Sequence, residues 1–253
     1  MKALITGASS GIGRDMARVL SKKGYEIVIV ARDEEKLKEL ANELKEKDNT
    51  KVEIFVTDLT IEDNCKNLNS KVKDVDILIN NAGFGDCGYF NKTDVDKDIA
   101  MIKTNVMAYH ILTKLYLKDM TKKNQGKILN VASIAGFMPG PLMANYYATK
   151  GYVVRLSEAI RQELKHQHSK VKISILCPGP VNTNFNKVAN VKFNLREANS
   201  MNVAKYAIRR LELGQFYIIP GIDVKIAKYV GHIIPDTVMA KICFYAQRRK
   251  LQR

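Results

Sequence analysis

Two side chains set one helical turn apart could carry out a proton transfer. Tyr146 and Lys150 stand at Tyr-x-x-x-Lys spacing, so both project from one face of a helix. A phenol with a pKa of about 10 is a poor base at neutral pH, but a nearby ammonium favours the phenolate and lowers that pKa. Tyr147 is adjacent, but only Tyr146 precedes Lys150 by four residues. The spacing therefore places a phenol beside an ammonium group, a pair whose chemistry would suit proton transfer.

A glycine-rich turn near the start of the chain could hold a phosphate. Gly7, Gly11 and Gly13 follow Thr6 in the order Gly-x-x-x-Gly-x-Gly, between a short apolar run and a helical pattern. Glycines at such a position allow a tight turn and a close approach of the backbone to a pyrophosphate. The helix that follows presents unpaired N–H groups to the phosphates. The turn predicts dinucleotide binding, and a turn without a ligand is the alternative.

Six further residues or short motifs follow the glycine-rich turn along the chain. They are Asp58, Asn80-Asn81-Ala82-Gly83, Asn105, Ser133, Pro178-Gly179 and Thr183. Taken with Thr-Gly-x-x-x-Gly-x-Gly and Tyr-x-x-x-Lys, they resemble the short-chain dehydrogenase/reductase family in its compact, single-domain, NADP-preferring form. The motifs span residues 3 to 183, so the resemblance covers most of the chain.

The resemblance implies four catalytic residues. Tyr146 would be the general acid or base, and Lys150 would lower its pKa and hold the nicotinamide ribose. Ser133 would hydrogen-bond the substrate oxygen, and Asn105 would hold a water that relays protons. By itself, Ser133 could be a loop cap and Asn105 a helix-surface amide. The implied cofactor contacts are Gly7, Ser9, Ser10, Gly11, Ile12, Gly13, Arg32, Asp58, Leu59, Asn81, Ala82, Gly83, Tyr146, Lys150, Pro178, Gly179, Val181 and Thr183.

The end of the second apolar run bears on the choice of cofactor. An acidic residue there binds the adenosine ribose of NAD, whereas an arginine accommodates the 2′-phosphate of NADP. In this chain Ala31 takes the acidic position and Arg32 follows. The sequence predicts NADP(H) rather than NAD(H). The alternative is that Arg32 is a solvated charge paired with Asp33 or Glu35.

The elements that must position these residues alternate between strand and helix. Apolar β-rich runs cover 3–5, 26–31, 52–57, 77–80, 127–131, 172–177 and 216–219, and helical patterns cover 13–23, 34–46, 61–71, 96–123, 146–168 and 201–213. Strands that are apolar on both faces are typical of parallel sheets covered by helices. The sequence predicts an α/β fold, a Rossmann-type doubly wound parallel sheet of about seven strands. We expect a single dinucleotide-binding catalytic domain over 1–253.

The formal net charge of +15 is unevenly placed. Residues 187–253 carry 13 Lys and Arg against 4 Asp and Glu, whereas residues 1–186 carry 28 against 22. No nucleic-acid-binding module accompanies this charge, so no nucleic-acid partner is expected. The four cysteines form no Cys-x-x-Cys pair, which favours reduced thiols and no metal site. We expect no signal peptide, no membrane-spanning segment and a cytoplasmic location.

The class of substrate is predicted from the residues expected to form the pocket walls. The family's wall positions fall on Phe84, Cys87, Tyr89, Phe90, Phe137, Met138, Leu142, Met143, Val181, Phe185 and Val188. This apolar set favours a hydrophobic ketone or aldehyde, or the matching alcohol. If the cofactor is NADP(H), reduction is the expected direction. A non-catalytic NADP(H)-binding regulator or scaffold is the alternative.

The tail, 220–253, is a basic amphipathic extension split by Pro235. Val238, Met239, Ile242, Cys243 and Ala246 are predicted on one stripe of its second helix. Three interpretations stay open: a lid on the substrate pocket, a peripheral contact with an anionic membrane, or a dimer contact. The family resemblance also implies a homodimer or homotetramer built on the helices near 96–123 and 146–168.

Overall fold

The computed structural model describes residues 1–189 and 197–251. The strands among them are β1 (Lys2–Thr6), β2 (Glu26–Ala31), β3 (Val52–Val56), β4 (Ile77–Asn80), β5 (Lys127–Val131), β6 (Lys172–Leu176), β7 (Val181–Asn182), β8 (Ala198–Asn199) and β9 (Tyr217–Ile218). Seven of them form a parallel sheet in the order β3-β2-β1-β4-β5-β6-β9. The predicted Rossmann-type sheet of about seven strands is confirmed.

Helices connect these strands. They are α1 (Gly11–Ser21), α2 (Glu34–Asp48), α3 (Glu62–Lys71), α4 (Val95–Ile102), α5 (Tyr109–Lys123), α6 (Ala144–His166), α7 (Phe185–Val188), α8 (Ser200–Glu212), α9 (Ile222–Ile233) and α10 (Asp236–Leu251). Several begin at the polar caps that their sequences supply. Asp33 caps α2 through Lys36 N, and Asn199 caps α8 through Asn202 N, which satisfies an otherwise unpaired donor at each helix start.

Two hydrophobic cores cover the two faces of the sheet. On one face, Leu4 and Val28 pack with buried residues of α3, α5 and α6. On the other, Ile5 and Ile29 pack with buried residues of α1, α2 and α8. Neighbouring strand residues point to opposite faces, so burial on both sides explains the continuous apolar runs.

The helix predicted over 96–123 is interrupted. The chain forms α4, then a π-helical segment at Lys103–Ala108, and then α5. Such wide turns shift the hydrogen-bond register and often lie at functional sites. Asn105 belongs to this segment, so its position depends on a local irregularity that apolar periodicity does not reveal. The two-residue strands β7 and β8 form a separate parallel pair that the sequence also did not indicate.

The extension after residue 219 folds as α9 and α10, separated near Pro235 as predicted. The apolar stripe predicted on α10 is only partly right. Met239 and Cys243 are buried, but Val238 and Ile242 are 47% and 50% exposed, and Ala246 is also exposed. The helix contacts the domain through residues spaced four apart, and Val238 and Ile242 lie about 100° around it from that face. Within residues 1–189 and 197–251, none of the helices has the length and apolar character that crossing a bilayer requires.

Candidate active site

One cleft runs along the carboxyl edge of the sheet, with a volume of about 780 Å³. This edge is where α/β sheets bind ligands. Of the predicted cofactor contacts, all but one line it: Gly7, Ser9, Ser10, Gly11, Ile12, Arg32, Asp58, Leu59, Asn81, Ala82, Gly83, Tyr146, Lys150, Pro178, Gly179, Val181 and Thr183. Ser133 lines it as well, whereas Gly13 and Asn105 lie behind its wall.

The glycine turn is locked to the end of β4. The Asn81 side-chain amide donates to the carbonyl oxygens of Thr6 and Gly7, at 3.0 and 3.1 Å. A Cβ on Gly13 would lie 2.4 Å from Asn81 Nδ2 and 2.5 Å from Gly7 O, so only glycine fits there. Asn81 therefore holds the shape of the loop, in addition to lining the cleft.

The start of α1 is suited to a phosphate. Ser10 stands at the N-cap but its side chain makes no capping hydrogen bond, and no acidic residue occupies the first turn. The first N–H groups of a helix have no partner within the helix, and the helix dipole favours an anion at this end. The turn, the helix start and the cleft together fit a pyrophosphate group.

Arg32 lies at the end of β2, in the cleft wall. It forms no ion pair with any described residue, because Asp33 caps α2 and pairs with Lys36. The alternative pairing of Arg32 with Asp33 or Glu35 is therefore absent from the structure. Lys36 also lines the cleft. Its place one turn after Arg32 was visible in the sequence, and it adds a second positive charge beside the predicted 2′-phosphate position.

Tyr146 and Lys150 begin α6, as their spacing predicted. Lys150 is 4% exposed. Its Nζ donates to the carbonyl oxygen of Val131 at 2.9 Å and lies 5.8 Å from the centroid of the Tyr146 ring. Burial lowers the pKa of Lys150 to about 8.

Tyr146 departs from the expectation of a lowered pKa. Burial raises the pKa of its phenol to about 12, and a hydrogen bond with Ser133 opposes the rise only in part. The Lys150 Nζ is engaged with the Val131 carbonyl, and desolvation of the phenol outweighs the favourable terms. Tyr146 is therefore a protonated donor in this arrangement.

Ser133 lies between β5 and a short 3₁₀ turn at Ile134–Phe137. Its Oγ accepts a hydrogen bond from Ala135 N at 3.2 Å, so it does cap that turn. The same side chain opposes part of the rise in the pKa of Tyr146, so it faces the phenol. The cap fixes the position of a hydroxyl that also contacts the phenol, so the two interpretations of Ser133 are compatible.

Asn105 is completely buried, so it is not a surface amide. Its Oδ1 accepts from Phe84 N at 3.1 Å, and its Nδ2 donates to Phe84 O at 2.9 Å and to Thr149 Oγ1 at 3.1 Å. A Cβ built on Gly83 would lie 2.9 Å from Asn105 Oδ1 and 3.5 Å from Lys150 Nζ. Asn105 thus lies near Lys150, and its side chain is hydrogen-bonded to the main chain of Phe84 in the loop after β4.

The substrate end of the cleft differs from the predicted wall. Phe84, Met138, Met143, Val181, Phe185 and Val188 line it. Tyr89 and Phe90 do not, and they are 48% and 72% exposed. Cys87 and Leu142 pack behind the wall in a small apolar cluster, and Phe137 belongs to the main core. Position in the sequence after a motif does not specify which way each loop side chain points.

Residues of α10 complete the wall of the cleft at this end. Cys243, Ala246 and Gln247 line the cleft. The predicted lid is thus the interpretation that this contact favours. Lys97 also lines the cleft, paired with Asp86 at 2.6 Å. The amphipathic pattern of the tail had suggested a lid with Cys243 and Ala246 on its inner stripe, whereas no sequence pattern pointed to Gln247 or Lys97.

Comparison with known proteins agrees with this geometry. The short chain dehydrogenase family matches residues 1–192. The 3-oxoacyl-[acyl-carrier-protein] reductase FabG of Rickettsia felis is 36% identical over 235 residues, covering 92% of this chain and 89% of that protein. The very-long-chain 3-oxoacyl-CoA reductase of Rattus norvegicus is 29% identical over 242 residues, covering 93% of this chain and 73% of that protein.

Solved structures give the same picture. A short-chain dehydrogenase from Sphingobium yanoikuyae, in complex with NADPH, has a TM-score of 0.83 at 27% identity and covers 92% of this chain and 94% of its own. A bulky-bulky ketone specific alcohol dehydrogenase from Comamonas testosteroni has a TM-score of 0.81 at 26% identity, covering 92% and 91%. The chain belongs to the short-chain dehydrogenase family and is an oxidoreductase.

Proposed function

We propose that this protein reduces hydrophobic ketones or aldehydes with NADPH, and that 3-oxoacyl thioesters are the first substrates to examine. The observation that carries the proposal is the convergence of Tyr146, Ser133 and Lys150 on the cleft that also holds the glycine turn. The 3-oxoacyl class comes from the reductases of Rickettsia felis and Rattus norvegicus that the chain resembles.

The cofactor would lie along the cleft from the glycine turn to Lys150. The N–H groups at the start of α1 would bind the pyrophosphate, Asp58 would face the adenine, and Arg32 and Lys36 would bind the 2′-phosphate. Bound NADPH supplies the hydride. Lys150 would hold the nicotinamide ribose, and Asn81 would keep the loop in its binding shape.

The chain's own residues would then manage the proton. Ser133 would donate a hydrogen bond to the substrate oxygen and stabilise the charge that develops there. Tyr146, kept protonated by burial, would deliver its proton to the alkoxide. Lys150, whose pKa of about 8 lies close to neutrality, would return a proton to the phenolate. Because the Asn105 side chain is already bonded to Phe84 and Thr149, a relay water would contact its main chain.

A panel of ketones and aldehydes tests the activity. Straight-chain methyl ketones, aryl ketones, aldehydes and 3-oxoacyl-CoA thioesters are incubated with the protein and either NADPH or NADH, and absorbance reports oxidation of the cofactor. We expect turnover of apolar ketones with NADPH. Binding of NADPH without turnover of any compound would support the non-catalytic regulator instead.

The cofactor preference has its own test in Arg32→Ala. Because a charged hydrogen bond to phosphate contributes roughly 1.5–3 kcal/mol, we expect the dissociation constant for NADPH to rise about 10-fold to 100-fold while that for NADH stays constant. Arg209→Ala, an exposed arginine of α8, is the control. Equal weakening of both cofactors, measured by fluorescence titration, would contradict the assignment of Arg32.

Two apolar surfaces outside the cleft suit partners. Val95, Ile99 and Ile102 form an exposed stripe along α4, and we assign it to a homodimer or homotetramer contact, measurable by sedimentation velocity.

The outer faces of α9 and α10 form the second surface. Their exposed apolar residues are Ile222, Ile226, Tyr229, Val230, Ile233, Val238, Ile242 and Tyr245. Lys225, Lys241 and Arg248 accompany them. An apolar face with basic neighbours suits peripheral contact with an anionic lipid surface. This contact would coexist with the lid, because Val238, Ile242 and Tyr245 are exposed while Cys243 and Gln247 of the same helix line the cleft.

A further inference from the structure

The side chain of Gln247 is an anomaly in the buried face of α10. That face repeats every four residues at Met239, Cys243 and Gln247, which are 6%, 7% and 3% exposed. A glutamine at the third position buries two polar atoms where an apolar side chain would pack without cost. Gln247 also lines the cleft, so this residue lies at the wall of the site rather than wholly within the core.

Only half of the Gln247 amide is satisfied. Its Nε2 donates to Tyr147 Oη at 2.5 Å. Its Oε1 is buried and has no hydrogen-bond partner among residues 1–189 and 197–251. A hydrogen bond whose only role was to hold α10 against the domain would need only the contact between Gln247 Nε2 and Tyr147 Oη. A buried acceptor without a partner costs about 1–3 kcal/mol, so a ligand that satisfies it would recover that cost.

Tyr147 is held in place to present its hydroxyl. A Cβ on Gly140 would lie 2.1 Å from Tyr147 Cγ, so the ring passes directly over that glycine and no other residue fits beneath it. Burial raises the pKa of the Tyr147 phenol, which keeps its proton. With Gln247 as its donor, the hydroxyl retains a proton to give. Among residues 1–189 and 197–251, the pair therefore offers one acceptor and one donor that have no hydrogen-bond partner.

The pair lies close to the reacting centre but separate from it. The centroids of the Tyr146 and Tyr147 rings are 6.2 Å apart. Tyr147 packs against an apolar cluster that contains Cys87, Leu142 and Met143. A substrate carbonyl at Tyr146 would thus be separated from Gln247 by several carbon atoms.

We propose that Tyr147 and Gln247 form a second polar subsite, which recognises a hydroxyl or amide group carried by the substrate at a distance from its carbonyl. This inference rests on the proposed reductase function and names the substrate class within it. A hydroxyl or a secondary amide both donates and accepts, so either satisfies the pair at once. Sites built to bond such a group discriminate strongly against analogues that lack it.

The test compares matched ketones. Plain straight-chain methyl ketones are set against the same ketones carrying a hydroxyl, or an N-methylamide, at successive carbons. We measure kcat/KM with NADPH, and dissociation constants in the NADP⁺ complex, where no ketone can be reduced. We expect the wild type to prefer the best-placed hydroxyl or amide by roughly 10-fold or more, the magnitude expected for satisfying a buried polar group.

Variants distinguish recognition of a substrate group from a purely structural role of the bond between Gln247 and Tyr147. Gln247→Leu should abolish the preference in both kcat/KM and binding. Tyr147→Phe/Gln247→Leu leaves no orphaned group, and in this variant the preference should stay lost in both kcat/KM and binding. Lys241→Leu, an exposed change on the same helix, should leave the preference unchanged.

Two results would overturn the subsite. One is a wild type that binds the plain and substituted ketones equally at every position. The other is a Gln247→Leu variant that weakens both kinds of ketone by the same factor, which would show a purely structural bond. Failure of the proposed function would look different, because no ketone would then be reduced while the binding comparison in the NADP⁺ complex would still decide the subsite.

Discussion

The charge of the Lys150 side chain conflicts with its buried surroundings. A cation that is almost fully buried loses hydration, and here it recovers one hydrogen bond from the Val131 carbonyl. That carbonyl also accepts from Tyr109 Oη at 3.1 Å, so it does not depend on the lysine. Removing the charge should therefore relieve a cost without orphaning its partner.

We predict that Lys150→Met raises stability while it eliminates reductase activity. The native pKa of Lys150 is lowered from 10.5 to about 8, so below about pH 8 the charged side chain destabilises the folded state by its full amount. As the pH rises toward 10.5 the native lysine is neutral while the unfolded one is charged, and the deficit disappears. Urea denaturation at pH 7 should show the variant more stable by about 2 kcal/mol.

The pH dependence distinguishes this account from a simple packing effect. The difference between variant and wild type should shrink from about pH 8 upward, in the direction given by the lowered pKa. The control Lys205→Met, at an exposed position of α8, should change stability by less than about 0.5 kcal/mol. A Lys150→Met protein that is less stable than the wild type at pH 7 would contradict the argument.

At the residue scale, the sequence predicted which residues form the site better than it predicted their burial, their pKa values and their contacts. Spacing along α6 and after β5 is local information, and it was enough to predict that Tyr146, Lys150 and Ser133 stand at the cleft. The raised pKa of Tyr146 and the contact of Gln247 with Tyr147 depend on burial and on a partner 100 positions away. Neither quantity is a property of a short stretch of sequence.

At the scale of elements, the turn between β1 and α1 leaves no space for a side chain at Gly13. Gly13 faces the Asn81 amide and the Gly7 carbonyl at distances that exclude a methyl group. In contrast, a Cβ on Gly151, within α6, would meet only Gly136 O, at 3.7 Å. Alanine at position 13 would therefore clash with its neighbours, whereas alanine at position 151 would fit.

We predict that Gly13→Ala weakens NADPH binding and Gly151→Ala does not. Overpacking costs about 1–3 kcal/mol, and at Gly13 it would displace Asn81 and open the phosphate loop, so the dissociation constant should rise roughly 10-fold or more. Gly151→Ala should instead stabilise the protein by about 0.5–1 kcal/mol, because alanine has the higher helix propensity. Calorimetric titration and thermal melts measure both, and an unchanged NADPH affinity in Gly13→Ala would refute the close-packed loop.

The order and type of the main elements could be predicted because their signals are repeated and local. Apolar runs mark β1 to β6, and Asp33 and Asn199 supply recognisable helix starts. The π-helical segment at Lys103–Ala108 and the β7–β8 pair could not be predicted. The first depends on a single shift of hydrogen-bond register, and the second joins two short segments with no apolar alternation.

For the whole molecule, the excess positive charge now has two distinct locations. Arg32, Lys36 and Lys150 line the cleft, where they would face an anionic cofactor. The larger excess follows residue 186, and part of it lies on α9 and α10, where Lys225, Lys241 and Arg248 are exposed. Residues 252 and 253 of the predicted extension lie outside the described residues, and the interpretation of 1–253 as one domain stays a prediction.

We predict binding of the protein to anionic vesicles through α9 and α10. Sedimentation with phosphatidylglycerol-containing vesicles should exceed that with phosphatidylcholine vesicles and should fall as salt rises, because screening weakens the basic contribution. Ile226→Glu/Ile242→Glu should abolish it, since both side chains are at least half exposed. Leu213→Glu, at an exposed position outside the two helices, is the control, and equal binding by all proteins would argue against this surface.

The most direct test of the account is a comparison of Tyr146→Phe with the wild type. The change removes one hydroxyl, and loss of a general acid typically costs about 10²–10⁴-fold in rate. We predict that ketone-dependent oxidation of NADPH falls by at least about 10²-fold while the NADPH dissociation constant is unchanged. Tyr152→Phe, the same substitution at an exposed tyrosine of α6 that contacts His110, should keep wild-type activity. A Tyr146→Phe enzyme that still reduces ketones at the wild-type rate would contradict the proposed mechanism.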